Sequence, residues 1–338
     1  MFALAEDAPQ TVFLGVRVYA WGLYCFFGAV LCLLAVLFHS RGKMKNGTAA
    51  LFGVLALPMA LILSRLLYCL FDARMRVFEG LSDGSVTWGE YFSDVFGATL
   101  GGFSMFGALL GGVLAVLLSA RILKEDKWAL LDVTACALML FIAAERLGEG
   151  RLEDFGVSRP LNERTDWWGL FITHGEYDDC ISTYMLESLT ALAIFMLLEW
   201  RRPRLRRGDT FLTGALVFGL SQVLMESLRF DQHMRFSFVS VQQLFAMGCA
   251  VYALLVWAVR LRKRGIRTML PLFTVIAVPA VIGVIILLEF MIDRSGISRL
   301  LLYMAYIAVL VCPLVIGIRM RNTLAGALPE EAQTKAVI

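Results

Sequence analysis

The sequence predicts an all-α polytopic membrane protein of about nine transmembrane helices with a small extracytoplasmic head. Three observations carry this. Of the 338 residues, 59% are apolar, and the mean hydropathy is +0.73, where a soluble domain is roughly half apolar. Apolar runs long enough to cross a bilayer recur nine times. Basic residues fill every second connection, as cytoplasmic loops do.

Taken in order, the runs lie near 13–38, 48–71, 96–120, 128–146, 181–200, 210–229, 238–259, 268–290 and 299–318. The first and seventh are long enough to tilt. Arg41, Lys43 and Lys45 follow the first run, and Arg121, Lys124 and Lys127 the third. The fifth is followed by Arg201, Arg202, Arg204, Arg206 and Arg207. The seventh is followed by Arg260, Arg262, Lys263, Arg264 and Arg267, and the ninth by Arg319 and Arg321. This alternation places the N-terminus outside and the C-terminus in the cytoplasm. Met1 to Gln10 is acidic and lacks a basic n-region, so no cleavable signal is expected. The stretch 150–180, with Trp167 and Trp168, is too long for a tight connection and reads as an outer head. The tail from Asn322 to Ile338 reads as a solvated end.

Six of the seven cysteines lie in apolar runs, without CxxC or Cys/His spacing, and read as small core residues. Only His39, His174 and His233 are present, so no metal site is expected. No cofactor and no nucleic-acid partner are expected either; the partner implied by composition is the bilayer.

Ionisable groups inside the runs carry the functional reading, because a charge at membrane depth costs a few kcal/mol or more unless paired. Arg65 and Tyr68 share a face of the second run, three apart. Arg146 and Glu149, also three apart, close the fourth beside Glu145. Glu187 lies near the outer end of the fifth. Gln222, Glu226 and Arg229 run down one face of the sixth, and Gln242 and Gln243 open the seventh. All fall at one expected depth, that of an outer-leaflet polar cavity. Arginine binds phosphate in a planar, bidentate way, so an anionic phospholipid suits such a cavity. Buried pairs that merely hold the bundle together are the plainer reading. Six glycines of the third run, among them Gly101 and Gly102, permit close helix packing or the approach of a headgroup.

Four stretches give the chain a resemblance to the prolipoprotein diacylglyceryl transferase family. Tyr19-Ala20-Trp21-Gly22-Leu23 is similar to its W-Y-G-L opening, and Ser64-Arg65-Leu66-Leu67-Tyr68 to its G-R-x-x-Y. Gly101-Gly102-Phe103-Ser104-Met105-Phe106-Gly107-Ala108-Leu109 is similar to its G-G-M-S-F-H-G-G-L. Ala144 to Glu149, followed by Asp154 and Gly156, resembles its G-R-x-G-N-F-x-N-x-E-x-x-G signature. Weaker likenesses surround Glu187 and Glu226. The likeness covers residues 12 to 260. It implies a membrane domain over 1–262 with the head inserted at 150–180. Two helices without counterpart in the usual seven-helix form occupy 263–321, and a cytoplasmic tail spans 322–338.

The resemblance implies a transferase of the bacterial plasma membrane. Such an enzyme moves the diacylglyceryl group of phosphatidylglycerol to the cysteine thiol of a lipoprotein precursor. Arg146 would contact the lipid phosphate, Glu226 would be a paired acid, and Glu149 completes the catalytic candidates. Arg65, Tyr68, Gly101, Gly102, Ser104, Asp154, Glu187, Gln222 and Arg229 are the expected substrate-binding residues. The chain departs from the family's pattern at four positions. Phe106 stands for a histidine, Gln222 for an arginine, Trp21 for a tyrosine and Glu149 for an asparagine. Either His233, Arg229 or Arg235 has taken over, or the chain is a non-catalytic relative that binds anionic lipid or lipoprotein. A small-solute transporter is a third reading, opposed by the single depth of the polar groups and the lack of an inverted repeat.

Overall fold

A computed structural model describes residues 10–13, 16–72, 84–85, 87–90, 103–151, 156–161, 169, 171–174, 179–230, 235–236 and 239–327. Among these residues nine helices are long and apolar enough to cross a membrane. The protein is an all-α, multi-pass membrane protein. The chain divides into two compact units, residues 1–155 and 156–338.

The first unit begins with an antiparallel ribbon, β1 (Gln10–Phe13) and β2 (Val16–Tyr19), pairing Thr11 with Val18 and Phe13 with Val16. This corrects the expected first span: helix α1 runs Ala20–Ser40 and begins seven residues later than residue 13. The misread segment, Val12-Phe13 and Val16-Arg17-Val18, is β-branched or aromatic apart from Arg17, and short runs of that kind read equally as strand. Helices α2 (Thr48–Asp72), α3 (Met105–Leu123) and α4 (Lys127–Glu149) follow. Ser104 caps α3 by accepting from the Gly107 amide, so this helix starts later than residue 96; residues 96–102 lie outside the described residues. Asp126 caps α4 by accepting from the Trp128 amide.

Two close approaches build this unit. Helix α3 lies against α2 through Gly107 and Gly111. A Cβ on Gly111 would stand 2.5 Å from the Met59 carbonyl oxygen, just past Pro58. Helix α1 meets α4 at Gly148, where a Cβ would stand 2.8 Å from Tyr24 Cβ. Lipid offers apolar side chains no gain from pairing, so helices associate where small residues bring backbones together. The exposed surface agrees: Phe38 of α1 is 76% exposed, whereas Arg146 is 1% exposed.

The second unit opens with a three-stranded antiparallel sheet, β3 (Val157–Pro160), β4 (Ile172–His174) and β5 (Asp179–Ser182), in the order β3-β5-β4. It occupies the segment expected as the head; residues 162–168, with both tryptophans, lie outside the described residues. Helices α5 (Thr183–Arg201), α6 (Asp209–Leu228) and α7 (Val241–Lys263) follow. A short ribbon, β6 (Arg235–Phe236) and β7 (Val239–Ser240), joins α6 to α7. Helices α8 (Leu270–Arg294) and α9 (Arg299–Gly326) complete the unit. The last helix is longer than expected and takes in Asn322 to Gly326, which read as tail. Arg321 is buried, with Nη1 donating to Thr213 Oγ1 at 3.4 Å, and this anchors the extra turn.

Asp209 holds the start of α6. Its Oδ1 accepts from Trp257 Nε1 at 2.9 Å and from Arg260 Nη1 at 2.8 Å. A carboxylate in a first helical turn also faces the positive end of the helix dipole. Asp209→Ala strands a fully buried indole N–H and an arginine. Thermal or chemical unfolding in detergent should show a loss of about 2–3 kcal/mol; an unchanged midpoint would refute this anchor.

Candidate functional site

Each unit gathers its own buried polar cluster. In the first, Arg146 occupies the last turn of α4. Its Nη1 donates to Glu149 Oε1 at 2.5 Å, and its Nε lies 3.5 Å from Glu145 Oε2. The three-residue spacing read from the sequence therefore does bring Arg146 and Glu149 together. The other terminal nitrogen, Nη2, reaches Met105 Sδ at 2.9 Å, across from α4 to the start of α3. A thioether is a weak acceptor. An anionic oxygen in its place would make a charge-assisted bond roughly twice as strong as a neutral one.

On α2, the Arg65 guanidinium lies over the Tyr68 ring, 5.7 Å from its centroid, and both residues are buried. The adjacent Ser64 hydroxyl donates to the Ser104 carbonyl at 2.7 Å, and the Ser104 amide donates back to the Ser64 carbonyl at 3.2 Å. Ser104 thus ties the start of α3 to the α2 turn that carries Arg65. Trp21 stacks on Phe103, with ring centroids 6.1 Å apart. Phe106 is buried; a phenyl ring there takes no proton. Gly101, Gly102 and Asp154 lie outside the described residues.

In the second unit, two carboxylates share one amide. Gln222 Nε2 donates to Glu187 Oε1 at 3.3 Å and to Glu226 Oε1 at 3.4 Å. Arg229 Nη1 lies 3.3 Å from Glu187 Oε2. All four residues are buried. The glutamine thus keeps the place between the acids, while a positive charge about two turns further on, at the end of α6, serves Glu187. The backbone of Arg229 is fixed by an isolated bridge to Ser158, and the Phe230 amide donates to the Val157 carbonyl, so strand β3 sets where α6 ends. His233 and the side chain of Arg235 lie outside the described residues.

Sequence reading missed Ser240. Its hydroxyl donates to Glu226 Oε2 at 3.0 Å and accepts from the Gln242 amide at 3.1 Å. The signal was present as a capping box: Ser240 at the cap and Gln243 three residues on. Met105 was missed for another reason. Nothing in a methionine's sequence context announces an arginine partner on the next helix.

The family model described as prolipoprotein diacylglyceryl transferase matches residues 9–259, which is most of the chain. The chain belongs to the prolipoprotein diacylglyceryl transferase family. Similar relatives are named phosphatidylglycerol–prolipoprotein diacylglyceryl transferase. One from Limosilactobacillus reuteri is 27% identical over 262 residues, covering 72% of this chain and 87% of its own length. One from Oceanobacillus iheyensis is 26% identical over 240 residues, covering 68% and 79%. One from Halalkalibacterium halodurans is 26% identical over 261 residues, covering 74% and 85%. Family membership makes this chain an enzyme of the transferase class. Both polar clusters lie within the matched residues, whereas α8 and α9 follow them.

Proposed function

We propose that this chain is a phosphatidylglycerol–prolipoprotein diacylglyceryl transferase of the bacterial plasma membrane, with its N-terminus outside. The precursor's cysteine sulfur bonds to the terminal glyceryl carbon of the diacylglycerol unit. The bond from that carbon to the phosphate oxygen breaks, and glycerol phosphate leaves with the electron pair. Arg146 holds the phosphate, with Glu145 and Glu149 fixing the guanidinium. Glu226 takes the thiol proton, while Glu187 stays committed to Arg229. Arg65, Tyr68, Gly101, Gly102, Ser104 and Asp154 line the lipid's place. Residues 263–321 are an addition to the family's membrane domain.

The observation that carries this reading is the Arg146 cluster. A buried guanidinium with a thioether on one nitrogen, inside the family match, is built to exchange that sulfur for a phosphate oxygen. The relatives bear an enzyme's name and lend nothing to the alternative of a non-catalytic binding protein.

The test uses the full chain in nanodiscs with a peptide bearing one cysteine. Mass spectrometry should show the peptide gaining a diacylglyceryl group with phosphatidylglycerol and not with phosphatidylethanolamine. Glu226→Gln should lower the rate by about 10²-fold or more, the usual worth of a general base. A folded protein that leaves the peptide unmodified in phosphatidylglycerol would overturn the proposal.

A further inference from the structure

The eighth helix carries a buried carboxylate, Glu289, that the expected reaction does not use. Its Oε1 accepts from Gln243 Nε2 at 2.7 Å and from the Tyr306 hydroxyl of α9 at 2.9 Å. The same Gln243 nitrogen lies 3.4 Å from the Val223 carbonyl of α6. The other end of Gln243, Oε1, accepts from the Ser240 amide at 2.9 Å and closes the cap of α7. The Ser240 hydroxyl then donates to Glu226 Oε2.

This chain of bonds is directional. An amide side chain has one accepting end and one donating end. Because the cap amide claims the oxygen of Gln243, its nitrogen must face acceptors; Glu289 at 2.7 Å is the nearer and charged one, with the Val223 carbonyl beside it at 3.4 Å. Because the Gln242 amide claims a lone pair of the Ser240 hydroxyl, the hydroxyl proton is left for Glu226. Glu289 therefore holds Gln243 in the orientation the cap requires and, through that cap, steadies Ser240, two side chains away from Glu226.

We propose that Glu289, braced by Tyr306, is a positioning residue for Glu226, acting through Gln243 and Ser240. The inference rests on the reading that Glu226 serves the transfer step. It gives the two helices beyond the family match a task that touches the chemistry only indirectly. Tyr303 adds a second tie from α9, donating to the Ser227 carbonyl next to Glu226 at 3.0 Å. Helix α8 also meets the head, where Arg159 of β3 pairs with Asp293.

The experiment compares Glu289→Leu, Glu289→Gln and Tyr306→Phe in the full chain, in phosphatidylglycerol nanodiscs. Two readouts are taken: steady-state transfer to the cysteine peptide, and hydrogen exchange of backbone amides over residues 239–245. Leucine keeps the bulk and removes the acceptor. It should lower kcat by about 10- to 100-fold with KM nearly unchanged, the signature of a misplaced group rather than lost binding. Exchange over 239–245 should rise. Glutamine can still offer Gln243 an oxygen, so it should stay within about threefold of the parent, with exchange unchanged. Tyr306→Phe removes a single donor and should cost about threefold, and it serves if the leucine variant does not fold. Adding Glu289→Leu to Glu226→Gln should cost nothing further, because both act at one point.

Unchanged kcat and unchanged exchange in folded Glu289→Leu would overturn the proposal and leave the transferase reading intact. Equal losses in the leucine and glutamine variants would also overturn it. If the parent protein transfers nothing, the transferase reading falls instead. The relay is then decided by exchange alone, and no rise in Glu289→Leu overturns it.

Discussion

Arg146→Gln is expected to lower turnover on phosphatidylglycerol by about 10²–10³-fold, the loss found when one preorganised donor to a developing oxyanion is removed. Arg146 is 1% exposed, so its charge is not screened by water. Glutamine keeps a polar end but provides neither the charge nor the planar fork. Arg146→Lys restores charge without the fork and should recover only part of the rate. The readout is single-turnover transfer to the cysteine peptide, with folding checked by unfolding midpoint. The variant also leaves Glu145 and Glu149 without their shared cation, so some stability loss is expected. Single-turnover rates on the folded fraction separate the two effects. A folded Arg146→Gln protein with parental rate would remove Arg146 from the mechanism.

The second large effect is on folding. Gly111→Ala should destabilise the protein by about 2–3 kcal/mol. The added methyl would stand 2.5 Å from the Met59 carbonyl oxygen and 2.6 Å from Ala60 Cα, and backbone cannot rotate aside as a side chain can. Gly112→Ala is the control one residue on. There the new Cβ meets only Leu138 Cδ2 at 3.7 Å, an ordinary contact. Alanine's better helix propensity should then stabilise by up to about 1 kcal/mol. Opposite signs from neighbouring glycines, read by unfolding in detergent, are the expected result. Equal effects would mean that α2 and α3 do not meet through Gly111.

The spans and the same-helix pairs within the polar clusters were legible because both depend on periodicity; that the polar groups gather as one cluster in each unit was not. Apolar length marks a helix that crosses lipid, and residues three or four apart share its face. Arg146 with Glu149, Arg65 with Tyr68, and Gln222 with Glu226 all follow from that rule. Partners across helices do not. That Ser240 would reach Glu226, or that Met105 would reach Arg146, depends on rotation and offset between helices. Nothing in local spacing sets these. The ribbon at residues 10–19 was hidden for the converse reason. Its apolar residues continue the composition of α1, and only hydrogen bonding separates strand from helix there. Glu289 is the one charged residue of the eighth run at 268–290. Its neighbours Gln243 and Tyr306 come from two other helices.

The tie from Glu289 to Gln243 also bears on how the chain is made. A ribosome delivers α6 and α7 to the membrane before α8 exists, and domains complete in order of synthesis. Until the last hairpin arrives, the amide nitrogen of Gln243 lacks its carboxylate and the α7 cap lacks its outer brace. The second unit therefore matures last, and the geometry around Glu226 is finished only when the C-terminal pair has inserted. Under the proposed positioning role, Glu226 gains its last support only once α8 and α9 are in place.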